Sequence, residues 1–225
     1  MPVGAWREGH MVATRAEIGQ GRRQRTRAAL VEAALRVFAR MGPEAPTVDD
    51  VTAEARVARG SFYNHFASWD ALLLAVATAA VEQIEAELAG QRDLPDAAAR
   101  VGLHLRGYIR KAAADQVWGW AVVRMALVAA PLGTAMRANL AQDVADGIAT
   151  GRFTVASAQL AQDVILGAGM MGMRSVLQGE AGAEHADDVA EAVLRALGVG
   201  DAAAVARCGQ GGAARASLQP DPLPP

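Results

Sequence analysis

Residues 47–76 have the sequence TVDDVTAEARVARGSFYNHFASWDALLLAV. A threonine is placed to cap a first short helix, and a second short helix follows after only a few residues. Two short helices joined by a tight turn are the geometry of a helix-turn-helix, whose second helix enters the major groove of DNA. Phe62 and Phe66 lie four residues apart and can pack inward, while Arg59 and Tyr63 share a neighbouring face that can point outward.

The segment RGSFYNHFASWDALL (residues 59–73) resembles the recognition-helix signature of the TetR family of bacterial transcriptional regulators. The preceding helix, RTRAALVEAALRVFARMG (residues 25–42), is similar to the family's first helix in character and spacing. The resemblance covers roughly residues 22–75. It implies an all-α protein with an N-terminal three-helix DNA-binding domain and a larger helical domain that dimerises and binds a ligand.

The resemblance also implies which side chains contact DNA. Arg59 and Ser61 would face base edges in the major groove, where Arg can bind guanine through two hydrogen bonds. Other positions would contact phosphates or allow close approach of the backbone: Arg22, Arg23, Arg25, Arg27, Thr47, Gly60, Tyr63 and His65. The alternatives are a solvated helix face at residues 59–65 and an ordinary basic helix end at the four N-terminal arginines.

Three residues depart from the family's usual pattern. Arg56 stands where the turn usually has Gly, and Ala58 stands where a Ser or Thr usually caps the recognition helix. Trp69 replaces the Lys that usually follows the serine at the end of the signature. A missing cap costs about 1 kcal/mol and removes a possible phosphate contact.

Apolar residues at helical spacing predict helices over most of the remaining chain, with no strand signal. We expect a flexible arm at 1–21, the helix-turn-helix domain at 22–69, the ligand-binding and dimerisation domain at 70–199, and a disordered tail at 200–225. The first helix is predicted to begin at residue 22, and a long helix to run from residue 69 to about 88. Helices of the larger domain are predicted at 95–113, 115–130, 132–149, 155–179 and 183–197.

Large apolar side chains in the larger domain are candidates for a ligand pocket, which the resemblance implies. We expect an unknown, largely apolar small molecule to contact His104, Tyr108, Trp118, Met125 and Met136. Trp118 is the strongest single candidate, because a buried indole N–H requires a partner. Plain core packing is the alternative for each of these residues.

The segment VILGAGMMGMRSVL (residues 164–177) is apolar nearly all round, which is unusual for a helix covered on one side. With the helix at 183–197, it resembles the family's dimer interface, a four-helix bundle made by two subunits. The expected interface residues are Gly167, Met171, Val189, Val193 and Leu197. The alternative is a central core helix.

Composition excludes several other classes of protein. The chain has 225 residues, a net charge of −2 and one cysteine, Cys208, so an internal disulfide is excluded. Residues 1–69 carry ten arginines against seven acidic residues, which suits binding to a polyanion. No catalytic motif, metal-ligand spacing, signal peptide or membrane-spanning run is present. We therefore expect a cytoplasmic protein that is neither an enzyme nor a metal- or cofactor-binding protein.

These observations favour a ligand-responsive transcriptional regulator that binds double-stranded DNA. A homodimeric repressor on a palindromic operator is the leading interpretation. A helical small-molecule or protein-binding module that has lost operator binding remains the alternative, because of Arg56, Ala58 and Trp69.

Overall fold

The computed structural model describes residues 15–42, 45–126, 134–182 and 184–207, and every regular element in these ranges is helical. The helices, in chain order, are α1 (Arg15–Met41), α2 (Val48–Glu54), α3 (Arg59–Tyr63), α4 (Trp69–Glu87), α5 (Ala97–Ala114), α6 (Gln116–Met125), α7 (Thr134–Ala149), α8 (Ala158–Leu177), α9 (His185–Ala196) and α10 (Ala202–Arg207).

Helices α1 to α4 share one core. Leu30 and Phe38 of α1, Val51 of α2 and Phe62 of α3 have no exposed surface, and Phe66 is also buried. The inward packing of Phe62 and Phe66 was predicted from their spacing and is confirmed by a ring-centroid distance of 5.7 Å. This core fixes the orientation of the short α3, which is too brief to be stable alone.

The turn between α2 and α3 has a left-handed residue at Arg56, with φ of +55°. Glycine adopts this conformation without the Cβ clash that costs other residues about 1–2 kcal/mol. Ala58, at the N-cap position before α3, makes no side-chain hydrogen bond, so the cap is missing, as the sequence predicts. Trp69 begins α4 and packs edge-on against Phe38 at 5.6 Å.

Helix α5 occupies the centre of the larger domain and packs against α7, α8 and α9. Val101 and Leu105 of α5 meet Ile165 of α8 and Leu194 of α9 in one core. A buried ion-pair network joins α5 to α7, since Arg100 Nε lies 2.6 Å from Asp143. The wall between α5 and α7 is therefore fixed by charge as well as by apolar packing.

Helix α6 connects the larger domain to the first one. Its residues Ala121 and Met125 are buried in the same core as α1 and α4. Arg124 donates a hydrogen bond to the Ala39 carbonyl of α1 at 2.5 Å. A displacement of α6 would therefore act directly on α1 through these contacts.

Two expected boundaries are wrong. Helix α1 begins at Arg15, so residues 15–21 are helical rather than a flexible arm. Gly19 and Gly21 each weaken a helix by about 1 kcal/mol relative to alanine but leave its hydrogen bonds intact. The expected tail includes α10, whose apolar face is buried at Ala202, Val205 and Ala206. The rest of the expected arm and tail, residues 1–14 and 208–225, lies outside the described residues.

Candidate DNA-binding surface and ligand cavity

Helix α3 presents one exposed polar face to solvent. Arg59 and Gly60 are exposed, Tyr63 is 57% exposed, and Ser61 is half-buried. The opposite side of the helix carries the buried Phe62. A short helix anchored on one side and polar on the other can enter the major groove with its side chains free to contact bases.

Arg59 is held by an ion pair that the sequence analysis did not identify. Its guanidinium contacts the Asp49 carboxylate in the first turn of α2, and both side chains are more than half exposed. Hydrogen bonds to Asp49 and Tyr63 raise the pKa of Arg59 above its ordinary value. Surface pairs of this kind contribute little stability, so a guanine edge can replace the carboxylate at small cost.

The N-terminal half of α1 lies beside α3 and adds positive charge to the same surface. Arg22 and Arg23 are exposed and line a shallow cleft together with Ser61 and His65. Arg23 Nη2 donates to the Asn64 carbonyl at 3.2 Å. Four residues predicted to contact DNA are thus brought together from two separate segments. Asn64 lines the same cleft, and the sequence analysis did not identify it.

The pKa of His65 depends on this positive charge. Burial lowers its pKa below the ordinary value, and the nearby charges of Arg23 and Arg27 lower it further. Arg27 also lies over the Phe66 ring, 5.1 Å from its centroid. A phosphate placed here would offset the arginines and favour the protonated histidine.

Thr47 is exposed at the start of α2, where its hydroxyl accepts a hydrogen bond from the Asp50 backbone. The Asp50 carboxylate accepts from the Thr47 amide at 2.7 Å, completing a capping box. The Thr47 hydroxyl also donates to the Asp50 carboxylate at 2.7 Å, and this hydrogen bond, followed by the one from the Thr47 amide, lowers the pKa of Asp50. The start of α2 is therefore held by hydrogen bonds where a phosphate contact is expected.

A cavity of about 360 Å³ lies in the larger domain among α4, α5, α6, α7 and α8. His104, Tyr108 and Met136 line it, as the sequence analysis expected. The cavity also contains Glu85 and Asn139, which were not expected. The Tyr108 hydroxyl donates to Glu85 at 2.9 Å, and Asn139 donates to the same carboxylate at 2.7 Å.

Two expected pocket residues belong to the core instead. Trp118 is 1% exposed, and its indole N–H donates to the Ala80 carbonyl at 2.9 Å. Met125 is fully buried between α6 and the first domain. The ligand role expected for both is wrong, because α6 turns these side chains toward α4 and α1 rather than toward the cavity.

The expected interface residues are divided among three environments. Val193 and Leu197 are 2% and 1% exposed, so the interface role predicted for them is wrong: they are already covered within one protomer. Gly167 lines the cavity, and Val189 is half-buried near Gly172 of α8. Met171 remains exposed, which leaves it as the expected residue best placed to meet a second copy.

Comparison with known proteins agrees with this architecture in both domains. Residues 30–76 match the family described as "Bacterial regulatory proteins, tetR family". Residues 96–207 match the domain described as "Tetracyclin repressor-like, C-terminal domain". The chain belongs to the TetR family. It is a transcriptional regulator with a DNA-binding domain and a ligand-binding domain, and TetR regulators bind operator DNA and small molecules, typically as dimers.

Solved structures of other TetR-family regulators have the same fold. RolR in complex with resorcinol is 28% identical, with a TM-score of 0.62 over 84% of this chain and 96% of that chain. FadR of Bacillus subtilis in complex with stearoyl-CoA is 17% identical, with a TM-score of 0.62 over 76% and 96%. A TetR-like regulator from Rhodococcus sp. RHA1 is 19% identical, with a TM-score of 0.58 over 83% and 99%. The curated proteins include none that matches this chain.

Among the described helices, none combines the length and apolar character needed to cross a membrane. Within the described ranges, no group of three or more histidine, cysteine, aspartate or glutamate residues is arranged to hold a metal ion.

Proposed function

We propose that this TetR regulator is a cytoplasmic homodimeric repressor that binds a palindromic operator and releases it when a small molecule enters the cavity. The single observation that carries the proposal is the basic surface formed where the N-terminal half of α1 comes close to the C-terminal end of α3. Arg59 and Tyr63 supply exposed groups from α3, and Arg22 and Arg23 supply exposed charge from α1.

Contacts on this surface divide into two kinds. Arg59 and Ser61 would bind base edges, with Arg59 exchanging Asp49 for the O6 and N7 atoms of guanine. Thr47, Tyr63, His65 and the α1 arginines would contact phosphates and position the helix, with Gly60 allowing close approach.

A homodimer would supply the affinity that one five-residue helix lacks. Two copies related by a two-fold axis bind two half-sites about one turn of DNA, or a multiple of a turn, apart. Exposed apolar side chains on α8, Met171 and Leu160, support an interface that includes this helix. Val189 of α9, half-buried beside α8, would lie at its edge.

The cavity is joined to the DNA-binding domain by two helices. Glu85, near the end of α4, lines the cavity, while Trp69 at the start of α4 packs on Phe38. Val122 of α6 lines the cavity, and Arg124 of the same helix holds α1. A ligand that binds better when these helices are shifted would favour a wrong spacing of the two α3 helices and weaken DNA binding.

The lining of the cavity supports a largely apolar small molecule as the ligand. RolR, which is 28% identical, was solved in complex with resorcinol, a small aromatic molecule. The size of the cavity, about 360 Å³, lies within the usual range for such ligands.

Selection of genomic DNA fragments by the purified protein tests this function. At about 150 mM salt, where non-specific binding is weak, we expect enrichment of a short palindrome. If a folded dimer, freed of any bound molecule by denaturation and refolding, retains no fragment, the repressor proposal is wrong. The binding-module alternative would then be favoured, consistent with Arg56 and the uncapped α3.

A further inference from the structure

The cavity is lined by His104, whose two ring nitrogen atoms differ in their hydrogen bonding. His104 Nδ1 lies 2.9 Å from the Arg100 carbonyl oxygen, one turn earlier on α5. A carbonyl oxygen accepts hydrogen bonds and cannot donate them, so Nδ1 carries the proton. In the neutral ring, Nε2 is then an acceptor with a free lone pair.

This Nε2 atom is buried and has no hydrogen-bond partner among the described residues. A buried acceptor without a partner lowers stability, and a ligand that supplies a donor removes that cost. The side chain lines the cavity, so such a ligand can reach it from there.

Two hydrogen-bond donors of the cavity are already engaged by one carboxylate. The Tyr108 O–H and the Asn139 amide both donate to Glu85. Burial first, and then Glu85, raises the pKa of Tyr108, so its hydroxyl remains protonated as a donor. A ligand that brings an acceptor therefore finds these donors taken, whereas one that brings a donor finds His104 available.

Charge around the cavity disfavours an anion. Glu85, Asp143 and Asp163 are carboxylates that line it, against one guanidinium, Arg137, which is exposed. Asp143 is neutralised by Arg92 and Arg100, which leaves the Glu85 and Asp163 charges facing one arginine. A neutral ligand avoids both the repulsion and the loss of hydration that an anion would suffer here.

The rest of the lining favours an aromatic body. Met136, Met170 and Met173 line the cavity along with aliphatic side chains from α5, α6 and α8. Thioether groups make favourable contacts with aromatic rings and adapt to their shape. The volume of about 360 Å³ accommodates a molecule of one to three fused rings.

We infer that the cavity selects a neutral phenol-type ligand, an aromatic body whose hydroxyl donates to His104 Nε2. The inference rests on the proposed function in taking this cavity as the effector site. It adds the ligand class and the residue that selects it. The same arrangement disfavours the corresponding ether, which has no donor, and the corresponding carboxylate, which is an anion.

Matched compounds test the ligand class on the full-length protein in the absence of DNA. The panel is phenol, 2-naphthol and 2-phenanthrol, each with its methyl ether and its carboxylate, and affinity is measured by titration calorimetry. We expect the tightest-binding phenol to bind about tenfold or more tightly than its own ether and its own carboxylate. The inference is overturned if no phenol in the panel binds more tightly than its own methyl ether, or if a carboxylate is the tightest-binding compound.

Variants of His104 test the residue. His104→Phe keeps a flat ring without the acceptor, so the phenol should lose about tenfold in affinity while the ether is unchanged. His104→Gln offers an amide oxygen and should restore part of the difference. His185→Phe, a half-buried histidine at the start of α9 and outside the cavity, is the matched control and should leave both affinities unchanged. Equal losses for phenol and ether in both His104 variants, with circular dichroism unchanged, would overturn the assignment.

Failure of this inference is distinguishable from failure of the proposed function. Phenol binding without any effect on DNA affinity would remove the effector role and leave the ligand class intact. Conversely, an operator released by one of the carboxylates, with no phenol binding, would retain the regulator and overturn the ligand class.

Discussion

The DNA-binding surface and the ligand cavity of this chain differ in how their polar groups are held. On the surface, Arg59 is paired with Asp49 in an exposed contact that water and salt can compete with. In the cavity, Glu85 holds donors from two other helices, and Asp143 is buried between two arginines. The surface can therefore exchange partners at little cost to the fold, whereas the cavity wall cannot.

The largest expected effect is on stability, at the cavity wall. Asp143→Ala should lower the free energy of unfolding by about 3 kcal/mol, because it leaves Arg100 buried with less compensation. Urea denaturation at fixed protein concentration measures the change. Asp163→Ala, an exposed aspartate bonded to Gln159 on α8, is the control and should lose less than about 0.5 kcal/mol. Equal losses in the two variants would show that the buried network is unimportant.

The next effect is on DNA affinity, with the fold left intact. Arg59→Ala should weaken binding to the selected operator about ten- to a hundredfold and relax the preference for guanine at one position. Its unfolding curve should match that of the wild type, since the lost pair with Asp49 is exposed. Fluorescence anisotropy measures affinity. Arg195→Ala, an exposed arginine on α9, should change neither property.

A smaller effect is expected at the turn before α3. Arg56→Gly should raise the free energy of unfolding by up to about 1 kcal/mol, because glycine adopts the positive φ without strain. Ala53→Gly, an exposed position within α2, should lower it by about 1 kcal/mol. Thermal unfolding compares the pair, and a loss of stability in both variants would contradict strain at Arg56.

The smallest effect is on the pH dependence of DNA binding. Burial, Arg23 and Arg27 lower the pKa of His65 in the free protein, and a phosphate beside it would raise that pKa again. The complex would then bind more protons than the free protein, so affinity should rise a few-fold as pH falls from about 7.5 to about 5.5. Anisotropy titrations at each pH should show this rise in the wild type and its loss in His65→Gln. A similar rise in the variant would assign the dependence to another group.

Local spacing was sufficient to predict the inward and outward faces of the recognition helix, whereas the resemblance to the TetR family implied the domain and its DNA contacts. Phe62, Tyr63 and Phe66 lie within a few residues of each other, so their faces follow from helical periodicity alone. The outward position of Arg59 follows in the same way, its DNA contact was implied by the family resemblance, and its pair with Asp49 needs the turn geometry. The start of α1 was misplaced because glycine weakens a helix without ending it.

The cavity was harder to predict, because its polar groups come from distant parts of the chain. Glu85 lies 23 residues from Tyr108 and 54 from Asn139, and no local pattern connects them. Trp118 was assigned to the ligand on residue type, but the Ala80 carbonyl satisfies its N–H within the core. Burial of Val193 and Leu197 likewise depends on how α9 packs on α5, which periodicity on α9 cannot specify.

DNA and the ligand are bound by separate residues in two regions that α4 and α6 couple, and one set of titrations tests both properties. Operator affinity is measured for the wild type, Arg59→Ala and His104→Phe, with and without the tightest-binding phenol. We predict that the Arg59→Ala variant binds the operator more weakly but still binds the phenol. The His104→Phe variant should bind the operator normally but need about tenfold more phenol to release it. The proposed regulation is wrong if saturating phenol leaves the operator affinity of the wild type unchanged. The proposed DNA-binding surface is wrong if Arg59→Ala leaves operator affinity unchanged.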